Sequence, residues 1–216
     1  MPDLPDPNTH LICNKTGAHV EYVIKDGYHF SDIESMHADW TSAQNEVISD
    51  LIREHGDRLD DPDFSCQIIE QYSLADRHWN WLNKAFLCRS GGYIWFLLIA
   101  ENKVQGACVI YHPKKSRLDE EEIFYVDYVA SAYWNRDRPG YKKQFSGIGR
   151  KLLAHASQFI RQKFGYRFGF GLHALPTAES FYSGIGMVAY EQDPEKENLR
   201  YFEAGLDAAM QIAGGV

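Results

Sequence analysis

The apolar positions that open at Ile148 continue through Leu152, Leu153, Ala156, Phe159, Ile160 and Phe164. That spacing is one stripe of an amphipathic helix and predicts a helix over about Ser146 to Phe164. A second helical face, Ile33, Met36, Trp40, Val47 and Leu51, predicts a helix from about Asp32 to Glu54. Ser31-Asp32-Ile33-Glu34 before it has the form of a capping box, and His55-Gly56-Asp57 stops it. Asp60-Asp61-Pro62-Asp63 starts a further helix with Phe64, Ile68, Ile69 and Tyr72 inward. Ser73–Ala85 reads as a short helix. Its aromatics, Trp79 and Trp81, with Phe86 just beyond, suit either a pocket wall or ordinary packing. Short apolar runs predict strands at Val20–Ile24, Tyr93–Ala100, Val104–Tyr111, Ile123–Ser131, Tyr166–His173, Met187–Gln192 and Leu199–Ala204. Glu101-Asn102-Lys103 joins two of them as a hairpin, and Pro176-Thr177 opens a short helix over Ala178–Gly184. Residues 1–18 are expected to be extended or loosely ordered, and the tail after Asp207 carries little signal. Helices alternating with strands in this order predict an α/β fold with a mixed sheet.

Composition narrows the function classes. The chain has 216 residues, enough for one substantial core, and a net charge of −8. An acidic balance argues against a broad nucleic-acid-binding face and suits a cationic substrate such as an amine. Cys13, Cys66, Cys88 and Cys108 are scattered with no C-x-x-C pair, as expected for reduced thiols in a cytoplasmic protein. The first residues have neither a positive region nor an apolar run, so no signal peptide is expected. The longest apolar run, Tyr93–Ala100, is far too short to span a bilayer.

The stretch Gln144-Phe145-Ser146-Gly147-Ile148-Gly149-Arg150 sits where the strongest helix begins. Its two glycines allow a tight bend, and a helix start exposes N–H donors and a partial positive charge suited to a pyrophosphate. Lys142, Lys143 and Arg150 add local positive charge. No Gly-Lys-Ser/Thr ending follows, which excludes a P-loop. Leu152 occupies the third position of the dinucleotide-binding glycine pattern, which speaks against that class as well.

The bend fits Gln/Arg-x-x-Gly-x-Gly/Ala, and it resembles the acyl-CoA pyrophosphate loop of the GNAT-type N-acetyltransferases. Ala178, Phe181, Tyr182 and Gly186 match that family's Ala-x-x-Phe/Leu-Tyr-x-x-x-Gly-Phe segment, with Met187 in place of the usual Phe. Val126-Asp127-Tyr128-Val129-Ala130-Ser131 resembles the strand before the loop. The likeness covers about Tyr93 to Ala204. Two departures stand out: the loop from Ser131 to Gln144 is longer than usual, and the segment Leu175-Pro176-Thr177 lacks an Asn often found there.

The resemblance implies a mixed, mostly antiparallel central sheet with a splayed parallel strand pair, flanked by helices, in one domain spanning residues 1–216. It implies acetyl transfer from acetyl-CoA to a primary amine by direct attack in a ternary complex, without a metal. Backbone N–H groups of Phe145, Ser146, Gly147, Ile148, Gly149 and Arg150, with Gln144 at the head of the loop, would take the pyrophosphate. Lys142 or Lys143 would meet an outer phosphate or simply face solvent. Val129, Ala130 and Ser131 would pair with the pantetheine arm. Tyr182 is the candidate general acid, because a phenol with pKa near 10 can donate to a thiolate whose acid has pKa near 8.5. Asp127 is the candidate base, since a carboxylate in an apolar strand needs a reason to be there. Strand alternation would place it on the same face as Val129. Glu122, His173 and a water chain are alternatives, with His78 and His37 behind them. The acceptor pocket is expected from about Asp32 to Phe86, with Trp79–Trp81 and the Trp134–Tyr141 loop as lining. Edge strands near the C-terminus allow a homodimer. The competing class is a non-catalytic acyl-CoA-binding or regulatory domain that kept the loop and lost turnover.

Overall fold

The computed structural model describes residues 9–214, so the expectation for the first eight residues lies outside the described part. The strands are β1 (His10–Ile12), β2 (His19–Asp26), β3 (Tyr93–Ala100), β4 (Lys103–Lys115), β5 (Glu122–Ser131), β6 (Phe170–Ala174), β7 (Val188–Asp193) and β8 (Leu199–Glu203). The helices are α1 (Phe30–His55), α2 (Pro62–Gln71), α3 (Trp81–Leu87), α4 (Ile148–Phe164), α5 (Glu179–Gly184) and α6 (Leu206–Gly214). The strands form one eight-stranded sheet in the order β1-β2-β3-β4-β5-β6-β8-β7. Only β5–β6 is parallel; every other neighbouring pair is antiparallel. The mixed, mostly antiparallel architecture expected from the sequence is therefore present.

Two hydrophobic clusters sandwich the sheet. On one face, Ile148, Leu152, Leu153 and Ala156 of α4 and Ala208, Ala209 and Ile212 of α6 pack on Phe96, Leu98, Cys108, Ile110, Phe124 and Val126. On the other, Ile33, Met36, Trp40, Val47 and Leu51 of α1, with Trp81 and Ala85 of α3, pack on Trp95, Leu97, Ala107 and Val109. The alternation along β3 explains the division, since Trp95 and Leu97 face one way and Phe96 and Leu98 the other.

Several local expectations are corrected. Residues 10–12 form a strand paired with β2 rather than a loose segment. α1 starts at Phe30 behind His29, which makes no side-chain cap bond, so Ser31 lies inside the first turn and not at a capping box. The α2 start is as read: Asp61 caps it, accepting from the N–H groups of Asp63 and Phe64. α6 gave too little sequence signal, yet its Ala208, Ala209 and Ile212 are buried. β8 is internal, leaving β7 as the C-terminal edge of the sheet. Cys13, Cys66, Cys88 and Cys108 are all free thiols, with Cys66 alone exposed. Among the described residues no helix is long and apolar enough to cross a membrane.

Candidate active site

β5 and β6 are paired only from Phe124↔Phe170 to Val126↔Leu172, although β5 runs on to Ser131 along β4. From Asp127 onward the two parallel strands part, and the opening between them is where the candidate residues gather. A β-bulge lies at the parting point. Val109 faces Tyr128 and Ile110 faces Val126, so Asp127 is the extra residue on β5. The bulge breaks the alternation assumed from the sequence. Val126 and Val129 share one face of the sheet, while Tyr128 and Ala130 share the other. Asp127 is thus not in phase with Val129. Instead it lies close to the Tyr93 hydroxyl on β3.

Two cavities adjoin the opening. One, of about 540 Å³, is walled by Trp79, Asn83 and Lys84 on one side, by Tyr125–Val129 of β5 as its floor, and by Glu195–Glu197 at its rim. The other, of about 400 Å³, runs past Val129, Ala130 and Ser131 to Gly149 and Leu153 at the start of α4. Val129, Leu175 and Tyr182 line both, so the cavities meet at the Tyr182 side chain. Of the segments expected to wall an acceptor pocket, Trp79 lines the larger cavity, whereas Trp81 is only 4 % exposed and belongs to the core. The Trp134–Tyr141 loop contributes Asn135, Arg136 and Asp137 to the smaller cavity instead.

The bend before α4 is held from behind. Phe145 is fully buried, and its N–H donates to Asn135 Oδ1 at 3.0 Å, which removes it from the donors expected to face a pyrophosphate. Gln144 donates its N–H to Trp134 O at 2.9 Å, and its side-chain amide donates to Glu101 at 2.6 Å. Gly147 adopts φ 76°, a left-handed turn that glycine tolerates without strain. The N–H groups of Ser146, Gly147, Ile148, Gly149 and Arg150 have no acceptor among the described residues; the first helical bond runs from Lys151 N–H to Gly147 O. They are the orphan donors of a helix start, and Gly149 among them lines the smaller cavity. The Arg150 guanidinium turns away and donates to the Gln211 and Ile212 carbonyls at the end of α6, a helix-capping role. Lys143 pairs with Asp137 at 2.7 Å, and Lys142 is exposed.

Sequence reasoning missed what fixes this bend. Gln105 is 1 % exposed and Asn135 is 6 % exposed. Gln105 Oε1 accepts from Asn135 Nδ2 at 2.9 Å and from Trp134 Nε1 at 2.7 Å, while its amide donates to Ala100 O at 2.9 Å. Gly106 is the second missed feature. A Cβ there would lie 2.3 Å from Ile148 Cγ2 and 3.1 Å from Ala130 O, so only glycine lets the first turn of α4 lie this close to β4. The one signal in the sequence was Gln105, a polar side chain in an apolar run. Arg136 forms a forked pair with Asp76, 2.8 Å at one arm, and its Nε donates to Ser131 O at 2.8 Å, tying the end of β5 to the α2–α3 connection.

Among the titratable groups, Tyr182 is 7 % exposed, and burial, with Cys108 nearby, raises its phenol well above the ordinary value. Its hydroxyl has no hydrogen-bond partner among the described residues and is not sealed from the cavities. Asp127 is raised above the ordinary carboxylate value by burial, opposed by Lys196, the Tyr93 hydroxyl and Lys84. His173 Nδ1 meets the Tyr125 hydroxyl at 2.6 Å. Its Nε2 stands 3.2 Å from Asp193, too poorly aligned for a hydrogen bond, and is sealed from solvent without a partner. Burial lowers its pKa, the Asp193 carboxylate opposing. His173 thus lines the larger cavity with one nitrogen engaged by Tyr125 and the other sealed. Glu122 starts β5 and His37 lies on α1; neither lines either of these two cavities, while His78 lines the larger one. Of the carboxylates and histidines weighed as bases, Asp127, His78 and His173 line the larger cavity.

No family model matches the chain, and no curated protein matches it. Solved structures similar to it include acetyltransferases. The PaiA N-acetyltransferase of Thermoplasma acidophilum, in complex with coenzyme A, is 15 % identical, with 85 % of this chain and 99 % of that one covered and a TM-score of 0.47. An acyl-CoA N-acyltransferase of Pseudomonas aeruginosa is 13 % identical, with 86 % and 99 % covered and a TM-score of 0.48. An aminoglycoside acetyltransferase from an uncultured soil metagenomic sample is 20 % identical, with 80 % and 91 % covered and a TM-score of 0.41. Likenesses this distant carry neither a substrate nor a mechanism to this chain.

Proposed function

We propose that the chain is an acetyl-CoA-dependent N-acetyltransferase acting on a primary amine. The observation that carries the reading is the row of N–H groups from Ser146 to Arg150 without an acceptor among the described residues, in a helix start whose Gly149 lines a cavity that leads to Tyr182. An anion fits such a helix start, and a pyrophosphate there would let the rest of a coenzyme extend along Val129–Ser131. That stretch of β5 has no strand partner on its β6 side, so the pantetheine amides can pair with it as an added strand. The thioester would then lie at the junction of the two cavities, with the amine entering from the larger one.

The steps follow from the groups at the junction. The amine nitrogen attacks the thioester carbonyl, a backbone N–H of the unpaired β5 segment polarises the carbonyl oxygen, and the C–S bond breaks. Asp127, directly or through one water, takes the amine proton, and its raised pKa brings it nearer to that task. Tyr182 stays protonated because burial disfavours its phenolate, so it always offers a donor to the departing sulfur. Its high pKa makes a hydrogen bond to the thiolate the main contribution.

Gly149→Glu tests the reading. A Cβ at Gly149 has room, its nearest neighbour being Val129 Cγ2 at 3.9 Å, and a carboxylate in the first turn suits the helix start. The variant should therefore fold, yet bind acetyl-CoA at least about tenfold more weakly in calorimetric titration, one ordinary charge contact's worth. Unchanged affinity, or no affinity in the wild type, refutes the site. Release of CoA thiol with an amine panel then separates an enzyme from a domain that only binds the coenzyme.

A further inference from the structure

Lys84 on α3 faces the larger cavity, its ammonium 3.4 Å from the centroid of the Tyr128 ring and 4.6 Å from that of Trp79. Lys25 and Lys143 are paired with carboxylates, whereas Lys84 has none within ion-pair distance among the described residues. The arginine beside the smaller cavity, Arg136, is saturated by Asp76. Lys84 is thus a half-buried cation resting on two aromatic faces, with Asp127, Asp76 and Glu197 acting on it only from beyond ion-pair distance. Burial lowers its pKa to about 8, the carboxylates of Asp127, Asp76 and Glu197 offsetting only part of the lost hydration. The same cavity holds Asp127, close to the Tyr93 hydroxyl. Glu195, Lys196 and Glu197 at the rim are exposed, where water and salt weaken their influence.

The cavity is therefore bipolar: a proton acceptor at the β5 bulge and, on α3, a cation with no carboxylate in direct contact. A diamine would set its second charge against Lys84. Building on the N-acetyltransferase reading, we infer that the acceptor is a small amine carrying its own carboxylate, an amino-acid-like molecule whose carboxylate pairs with Lys84 while its amine faces Asp127. A volume of about 540 Å³ accommodates such a molecule, and Trp79 and Tyr128 offer apolar surface for its side chain. The ion pair would form in a half-desolvated setting, where a charged hydrogen bond is stronger than at an open surface.

The test uses the purified full chain with acetyl-CoA. Glycine, leucine and phenylalanine are compared with their amides and with the corresponding decarboxylated amines, by CoA-thiol release. The matching N-acetyl amino acids and N-acetyl amides are titrated against CoA-loaded protein, a readout that needs no turnover. The expected result is a preference of about tenfold or more for at least one acid over its amide and amine, in kcat/KM and in product binding. Lys84→Met should bring that ratio close to one, and Lys84→Arg should keep most of it. Equal or better use of the amides by the wild type, a preference that survives in Lys84→Met, or no binding of any acid to a protein that binds CoA would overturn the inference. Absence of acetyl-CoA binding in the same titrations would overturn the transferase reading, and the acceptor assignment with it.

Discussion

Asn135→Ala probes how the loop before α4 is held. The side chain is 6 % exposed, and its Oδ1 takes the N–H of the fully buried Phe145. Its Nδ2 donates to Gln105 Oε1, and Gln105 in turn receives the Trp134 indole. Removing it strands one buried N–H, at a cost of about 1–3 kcal/mol, and deletes a buried side-chain bond worth about 1 kcal/mol. The expected loss is about 2–4 kcal/mol, which for a chain of this length lowers Tm by roughly 4–16 °C. The same change frees the segment that presents the Ser146–Arg150 amides. KM for acetyl-CoA should therefore rise by about tenfold, while kcat at saturating donor falls less. Gln105→Ala should not add to it, because both residues belong to one network. Thermal unfolding with and without acetyl-CoA, beside steady-state kinetics, gives both numbers. A Tm within about 1 °C of wild type together with an unchanged KM would refute the claim that this network holds the loop.

Three further outcomes follow from the geometry. Gly106→Ala places a methyl 2.3 Å from Ile148 Cγ2 and 3.1 Å from a backbone oxygen, so denaturant unfolding should show a loss of at least about 1–3 kcal/mol, with weaker acetyl-CoA binding as α4 lifts. Tyr182→Phe should lower kcat by about a hundredfold with little change in KM for acetyl-CoA, and an unchanged kcat would remove the phenol from the chemistry. Asp127 must be ionised to act as base, so kcat/KM should rise with pH through a limb above the ordinary carboxylate range, and Asp127→Asn should abolish that limb. Its carboxyl is raised in the folded state, so the native form holds the proton more tightly than the unfolded chain. Stability attributable to Asp127 is then greatest below its unfolded pKa and falls as pH rises through the folded value. Asp127→Asn should accordingly be more stable than wild type at neutral pH and show no such gain in acid; the opposite ordering in pH-dependent melts would contradict the assignment.

The helical stripe from Ile148 was legible because one face repeats at helical spacing, and Ile148, Leu152, Leu153, Ala156 and Ile160 are indeed buried. Phe164, at its end, is 38 % exposed, since the last turn runs past the sheet. The strands were legible as apolar runs, and the polar interruption at Asp127 falls at the bulge in β5. The bulge was not legible. It depends on how β4 and β5 pair across the sheet, and it reverses which neighbours Asp127 shares a face with. Arg150 reads as a phosphate ligand by its position. Its long side chain instead finds the α6 carbonyls, partners 61 and 62 residues away that no local pattern announces. Gln105, Asn135 and Lys84 matter for the same kind of reason: their roles are set by neighbours distant in the chain.

The most direct measurement is backbone amide NMR of the chain titrated with acetyl-CoA. The amides of Ser146, Gly147, Ile148, Gly149 and Arg150 should shift most and become protected from exchange with solvent. Phe145, already bonded to Asn135, should gain little. Saturable binding that leaves those five resonances unmoved, or no binding at millimolar acetyl-CoA, would contradict the account.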